Sequence, residues 1–405
     1  TRGYDEGAAT MKHAMLTCAG LVLLMLTPVS LQAWPVDGYP ETGIRRLEEQ
    51  RLIAAGEIKG TRQPPGGLWR TEAVDIRLVG QPDFTLPPPD ETLNGQILAM
   101  LGENADRYGV AVLDISDPAQ PVYAEYRGDH RQNVGSVGKL LVALGFFQAL
   151  ADTYPKDLQQ REELMRNTVI TADRFSHSDH HSIRLFDVQN RSLVRRAMRD
   201  GDTGNIWEYL DWTLSVSSNS AAAMTMRDTM LLRQFGEAYP LAEEKITPFF
   251  DQTPAADKTR LFQAAFWEPV TRNGLSLDEI RQGSFFTRQG KYLVAGGGLS
   301  YATPRSLMQY LVKMEQGQLV DEWSSRALKR LLYMTERRIR YASSPALRDA
   351  AIYFKSGSLY SCQPEEGFTC GKYKGNKRNY MNSVAVVEAQ IDGQRLHYIV
   401  TLISN

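Results

Sequence analysis

The sequence predicts an α+β fold, in which an antiparallel sheet drawn from both ends of residues 91–405 is flanked by helices, with an all-helical lobe inserted between the two halves. Three observations predict it. A hairpin pattern lies early in this region, at Gly109–Ile115 and Pro121–Tyr126. Three strand-like runs close the chain, at Ala351–Lys355, Ser383–Ala389 and Leu396–Ile403. Between them the apolar pattern is mostly helical. Strands so far apart in sequence must meet in one sheet, because an isolated hairpin is marginal in water.

Residues 1–33 read as a secretory signal peptide. Met11-Lys12-His13 opens a short basic stretch, Ala14–Leu26 is apolar, and Ala33 is the expected cleavage residue. Residues 1–10 carry Asp5 and Glu6, and Met11 is the expected true start. The alternatives are an N-terminal core helix or a membrane anchor. Residues 34–90 are rich in Pro, Gly and charge, as in Gln63-Pro64-Pro65-Gly66-Gly67 and Leu86-Pro87-Pro88-Pro89. They read as an extension with a few short strands or turns.

The expected catalytic domain is 91–405, its sheet lobe formed by 91–135 and 300–405 and its helical lobe by 136–299. Leu93, Ile97, Leu98 and Leu101 give residues 92–103 a helical face. Ser116-Asp117-Pro118 turns the hairpin. Lys139–Ala151 is apolar nearly all round, as a central buried helix should be. Further helices are expected at Trp207–Leu214, Ser220–Leu232, Pro304–Met314 and Glu322–Tyr333, with Thr303 capping the third and Pro304 at its first position.

Lys plus Arg number 46 and Asp plus Glu 47, for a net charge of −1, so nothing pushes the chain toward nucleic acid or an anionic membrane surface. Once the leader is removed, only Cys362 and Cys370 remain. Two cysteines this close in an exported protein suggest one disulfide; two buried thiols are the alternative.

Three short stretches carry candidate chemistry. Ser136 precedes Lys139 by one helical turn, at the start of the apolar helix. A lysine on the same face can take the serine proton if burial lowers its pKa, and the helix N-terminus favours negative charge on an attacked carbonyl. Alone, the pair is equally an N-cap serine and a snorkelling lysine. Ser217-Ser218-Asn219 sets a hydroxyl beside an amide at a junction of two helices. Ser217 can pass a proton to a leaving nitrogen, and Asn219 can hold a substrate amide. Lys355-Ser356-Gly357-Ser358 lies on a strand, where Lys355 and Ser356 can receive a carboxylate, Gly357 admits close pairing, and the Ser358 N–H can donate to an oxyanion.

In this order the three stretches resemble the S-x-x-K, S-x-N and K-[ST]-G set of the serine β-lactamase and penicillin-binding protein superfamily, and most of all that of the class A β-lactamases. GVAVLDI, GSVGKL, SVSSNSAAA and ATPRSL at 302–307 are similar to the family's segments, over roughly residues 92–405. The resemblance implies an acyl-enzyme on Ser136 with Lys139 as proton partner, Ser217 and Asn219 as the second pair, Lys355 and Ser356 on the carboxylate, and Ser358 at the oxyanion. It implies hydrolysis of a β-lactam amide, or alternatively a D-Ala-D-Ala carboxypeptidase acting on peptidoglycan stem peptides. A non-turnover sensor or scaffold is a second alternative. A monomeric periplasmic or secreted bacterial enzyme is expected, with no membrane span after export and with no cofactor, metal or nucleic acid.

The pattern departs from class A at four points. Glu268, in Trp267-Glu268-Pro269, is the candidate deacylating base, with Asn273 one place too far. Ser218 stands where the family has aspartate, the segment from 268 to 303 is long, and an insertion lies around 168–205. That insertion holds His177, Asp179, His180 and His181, which read as a metal site or as a polar loop over the cleft. The basic run Lys372, Lys374, Lys377 and Arg378 reads as a solvated hairpin or as a lure for anionic substrates.

Overall fold

The computed structural model describes residues 37–405 except Arg337. The expected signal peptide at 1–33 lies outside the described residues.

The early hairpin and the C-terminal strands meet because they share one alternating apolar pattern. Strands β1 (Tyr108–Asp114) and β2 (Val122–Tyr126) form the early hairpin. Strands β3 (Val169–Thr171), β4 (Ser182–Asp187), β5 (Ser192–Ala197) and β6 (Thr203–Asn205) lie in the insertion, and β7 (Ala351–Ser361), β8 (Arg378–Ile391) and β9 (Gln394–Ser404) close the chain. The main sheet is antiparallel, in the order β2-β1-β9-β8-β7. Val112 sits opposite Val400, and Lys355 opposite Val384. Asp392-Gly393 turns β8 into β9 with both residues at positive φ, as a two-residue hairpin requires.

Period-two alternation splits the sheet between two cores. Tyr353, Val384 and Val386 face the main core, while Ile352, Phe354, Ala385 and Val387 face a smaller one with Ala342 and Ala350. On the main side, helices Pro304–Glu315 and Glu322–Tyr333 lie against the sheet. Thr303 caps the first in a reciprocal box with Ser306. The Lys139–Thr153 helix is buried from Lys139 through Leu150, surrounded by helices Ile206–Leu214, Asn219–Phe235 and Ala255–Phe266. With the turn before it, this helix is long and apolar enough to cross a membrane, but 83% of that stretch is buried inside the fold.

Two expectations need correction. Residues 37–90 contain helices at Tyr39–Thr42 and Arg45–Ala55 in place of short strands. Ile44, Leu47, Val74 and Leu78 enter the main core, and Arg46 forms a buried two-bonded pair with Asp211 at 2.6 and 2.5 Å. The segment is therefore part of the packed body. The inserted lobe is also not all helical, since β3 pairs with β6 and β4 with β5.

Candidate active site

Ser136 sits in a tight turn, Gly135–Gly138, that runs directly into the central helix. Gly135 has φ +57°, and a Cβ there would stand 3.2 Å from the Ser358 nitrogen. Gly138 lies beneath Gln282, whose Oε1 would be 2.6 Å from an added Cβ. The glycines thus let the Ser136 turn be pinned between β7 and the segment after residue 268.

Lys139 is fully buried. Its Nζ lies 2.7 Å from Ser217 O, 2.7 Å from Asn219 Oδ1, 3.0 Å from Ser136 Oγ and 3.3 Å from Ser217 Oγ. Burial pulls its pKa down to about 7, with the Asp179 charge opposing. A neutral amine can give its two N–H groups to the 2.7 Å acceptors, which leaves its lone pair for the Ser136 hydroxyl proton. The Phe286 ring covers the amine, its centroid 4.8 Å away.

The second stretch folds as a corner between helices Ile206–Leu214 and Asn219–Phe235. Ser218 caps the latter, and Ser217 is held at φ +64°, a conformation most side chains avoid. That strain aims the Ser217 hydroxyl between two amines, because Lys355 Nζ donates to it at 2.9 Å. Lys355 is buried, and its pKa is driven well down by desolvation and then by the charges of Lys139 and Arg340. Strand β7 lies so close to the Ser136 turn that a Cβ on Gly357 would be 2.0 Å from Val134 O and 2.8 Å from Ser136 N. All three stretches therefore line one cleft of about 810 Å3, together with Ser356 and Ser358.

A model of the beta-lactamase enzyme family matches residues 92–401. The chain belongs to this family. No curated protein matches it. Among solved structures it is similar to PBP-A, at 14% identity over 79% of this chain and 89% of that one, with a TM-score of 0.45. A β-lactamase from Sphaerobacter thermophilus DSM 20745 aligns at 14% identity over 78% and 89%, with a TM-score of 0.46. A point mutant of the class A β-lactamase of the last common ancestor of Gram-negative bacteria aligns at 19% over 76% and 88%, with a TM-score of 0.43.

Glu268 lies away from this cleft. It opens the Glu268–Arg272 turn of helix, and its half-exposed carboxylate accepts from Arg233 at 2.7 Å. Arg233 and Arg272 both also hold Asp152, so Glu268 belongs to a surface ion cluster. Asn273 is buried, donating to Gln148 and accepting from the Val320 N–H. Neither residue lines the cleft. The segment beyond them supplies Gln282, Ser284, Phe285 and Phe286 instead. Among the described residues, no Asp or Glu lines the cleft, whereas Lys291, Arg340, Lys355 and Lys372 do.

Arg340 was not legible in the sequence, since it sits in an irregular connection with no motif. It takes φ +57° and donates to Ser358 Oγ at 2.7 Å, Gly357 O at 3.3 Å and Asn382 O. Burial lowers its pKa. The guanidinium thus braces the strand that carries Ser358 and adds a cation beside Lys355.

Asp179 braces the Ser217-Ser218-Asn219 corner. Its Oδ2 accepts from Ser218 Oγ and the N–H groups of Asn219 and Ser220, at 2.9, 2.7 and 3.0 Å. Its Oδ1 accepts from the N–H groups of His180 and His181 at 2.8 and 3.2 Å, and lies 2.6 Å from His181 Nδ1. Burial pushes its pKa up, but His181 and the Ser220 N–H outweigh this and hold it well below the carboxylate range. His177 turns away to Asp200, so the three histidines do not converge. The basic run divides as well: Lys372 reaches the cleft rim, Lys377 lies 3.7 Å from Glu365, and Cys362 and Cys370 form a disulfide beside them.

Proposed function

We propose that this family member hydrolyses an amide bond that lies near a carboxylate, foremost that of a β-lactam, through an acyl-enzyme on Ser136. The observation that supports this is the Lys139 amine, which reaches Ser136 Oγ at 3.0 Å, is anchored by Ser217 O and Asn219, and has a pKa brought down to about 7. At neutral pH a large fraction of such an amine is unprotonated and able to take the serine proton.

The steps follow from that placement. Ser136 Oγ attacks the carbonyl carbon while its proton passes to Lys139. The N–H groups of Ser136 and Ser358 receive the oxyanion. When the C–N bond breaks, Lys139 returns the proton through the Ser217 hydroxyl to the leaving nitrogen. Lys355, Ser356 and Arg340 receive the substrate carboxylate in a cleft whose described walls carry no opposing acid. An exported location, as read from residues 1–33, fits the Cys362–Cys370 disulfide.

Incubation with a penicillin, followed by mass spectrometry, and turnover of a chromogenic cephalosporin test this reading. The wild type should form an adduct at Ser136 and release ring-opened product, and Ser136→Ala should do neither. Absence of any adduct in the wild type would refute the proposal and favour a scaffold. The surface position of Glu268 favours a second reading, a D-alanyl peptidase. That reading calls for a persistent penicillin adduct together with turnover of a D-Ala-D-Ala peptide.

A further inference from the structure

Asp179 and His181 form a tight pair at the wall of the cleft. An ionised carboxylate only accepts, so the contact at 2.6 Å requires that His181 Nδ1 carry the proton. In the neutral ring Nε2 is then a bare lone pair. Among the described residues Nε2 has no hydrogen-bond partner, and His181 lines the cleft with Ser136, Ser217 and Asn219. The His180 ring stacks on it at 4.3 Å, which fixes its plane.

The pair is also built into the catalytic frame. Asp179 holds the Asn219 N–H, and the Asn219 side chain accepts from Lys139, which reaches Ser136. The ligand atoms of Asp179, His180 and His181 lie within 4.8 Å of one another, but six donors already occupy the carboxylate. Meanwhile Glu268 serves a surface ion cluster, and no Asp or Glu is among the described residues of the cleft wall.

We propose that Asp179 and His181 are the general base that activates water against the Ser136 acyl-enzyme, a role that rests on the acyl-serine reading above. His181 Nε2 takes one proton of the water as the water oxygen bonds to the ester carbon. The C–Oγ bond then breaks, and Oγ regains the proton that His181 took from the water. Water is thereby added across the ester, and the carboxylic acid leaves. Asp179 orients the ring and stabilises its charged form, as the acid of any Asp–His base does. Burial lowers the His181 pKa, Asp179 raises it, and Lys139 and His180 lower it again; Lys291, Arg340 and Lys355 also line the cleft. The net direction is downward, which favours the neutral ring.

The test uses penicillin G, quenched mass spectrometry and three proteins: wild type, His181→Ala and His181→Gln. In both variants the Ser136 adduct should accumulate and its hydrolysis should slow by about 100-fold or more. Added imidazole should restore about tenfold or more in His181→Ala, a rescue that a packing role would not show. His181→Gln preserves a donor to Asp179 and guards against misfolding of the smaller variant. Wild-type deacylation should fall as pH drops through the imidazole titration, and that dependence should vanish in His181→Gln. Wild-type deacylation rates in the variants, or a wild-type adduct as long-lived as theirs, would overturn the proposal while leaving Ser136 as nucleophile. No adduct in any of the three proteins would instead remove the acyl-serine reading.

Discussion

Lys355 Nζ donates to Ser217 Oγ at 2.9 Å across 138 positions of sequence. This bond joins the edge strand of the sheet to the corner between two helices. It leaves one hydroxyl between two amines, because Lys139 lies 3.3 Å away on its other side. A hydroxyl so placed can receive a proton from one neighbour and pass on its own, which is what a departing nitrogen needs.

Ser217 should therefore matter more to rate than to stability. Ser217→Gly removes the hydroxyl and also the cost of φ +64°. Acylation should fall by about 10²-fold or more. Thermal unfolding should occur no earlier than in the wild type, with a gain of up to about 1 kcal/mol. Stopped-flow acylation and calorimetry check the two halves, and a clear loss of stability would show that the strain is not relieved by glycine.

Lys139 sets the pH dependence of the first step. Its pKa is lowered from 10.5 to about 7, so the neutral base is present above that value and protonated below it. Acylation by a penicillin should rise with pH and reach half its plateau near pH 7. Lys139→Arg, which cannot lose its proton, should flatten the profile and cost about 10³-fold or more.

Glu268→Gln should leave turnover within about twofold of wild type, because the carboxylate is spent on Arg233 outside the cleft. The stability change should stay within about 1 kcal/mol, as for exposed ion pairs. Steady-state kinetics decide; trapped acyl-enzyme in this variant would restore Glu268 to the mechanism.

Arg340→Ala should raise KM for carboxylate-bearing substrates by about tenfold or more. An ester of the same substrate, which lacks the charge, should be hydrolysed with little change. Equal losses on both would mean that Arg340 acts only through its bonds to Gly357 and Ser358.

Gly357→Ala should cost about 3 kcal/mol and most of the activity. Its Cβ would meet Val134 O at 2.0 Å, and backbone there cannot rotate aside. Denaturant unfolding and acylation rates measure both effects.

Much of this molecule was legible from local pattern. The period-two runs near both ends, the all-apolar stretch after Ser136 and the Thr303-Pro304 start correspond to β1, β2, β7 to β9, the central helix and the capped helix. Residues 37–90 were misread because their Pro and Gly mask short helices, whose placement depends on buried partners such as Asp211. The three motifs could be named from sequence because each is a contiguous stretch whose chemistry depends on residue type and spacing. The place of Glu268 could not, since a Glu-Pro pair reads alike whether its turn faces a cleft or Arg233. Arg340 likewise reaches the cleft by long-range folding, without a spacing that points to it, whereas His181 comes from the stretch that reads as a metal site or a polar loop over the cleft. Residue types and local periodicity thus determined the elements and the three candidate motifs. Which charges face the cleft was decided only by packing, because that depends on how segments far apart in the chain cover one another.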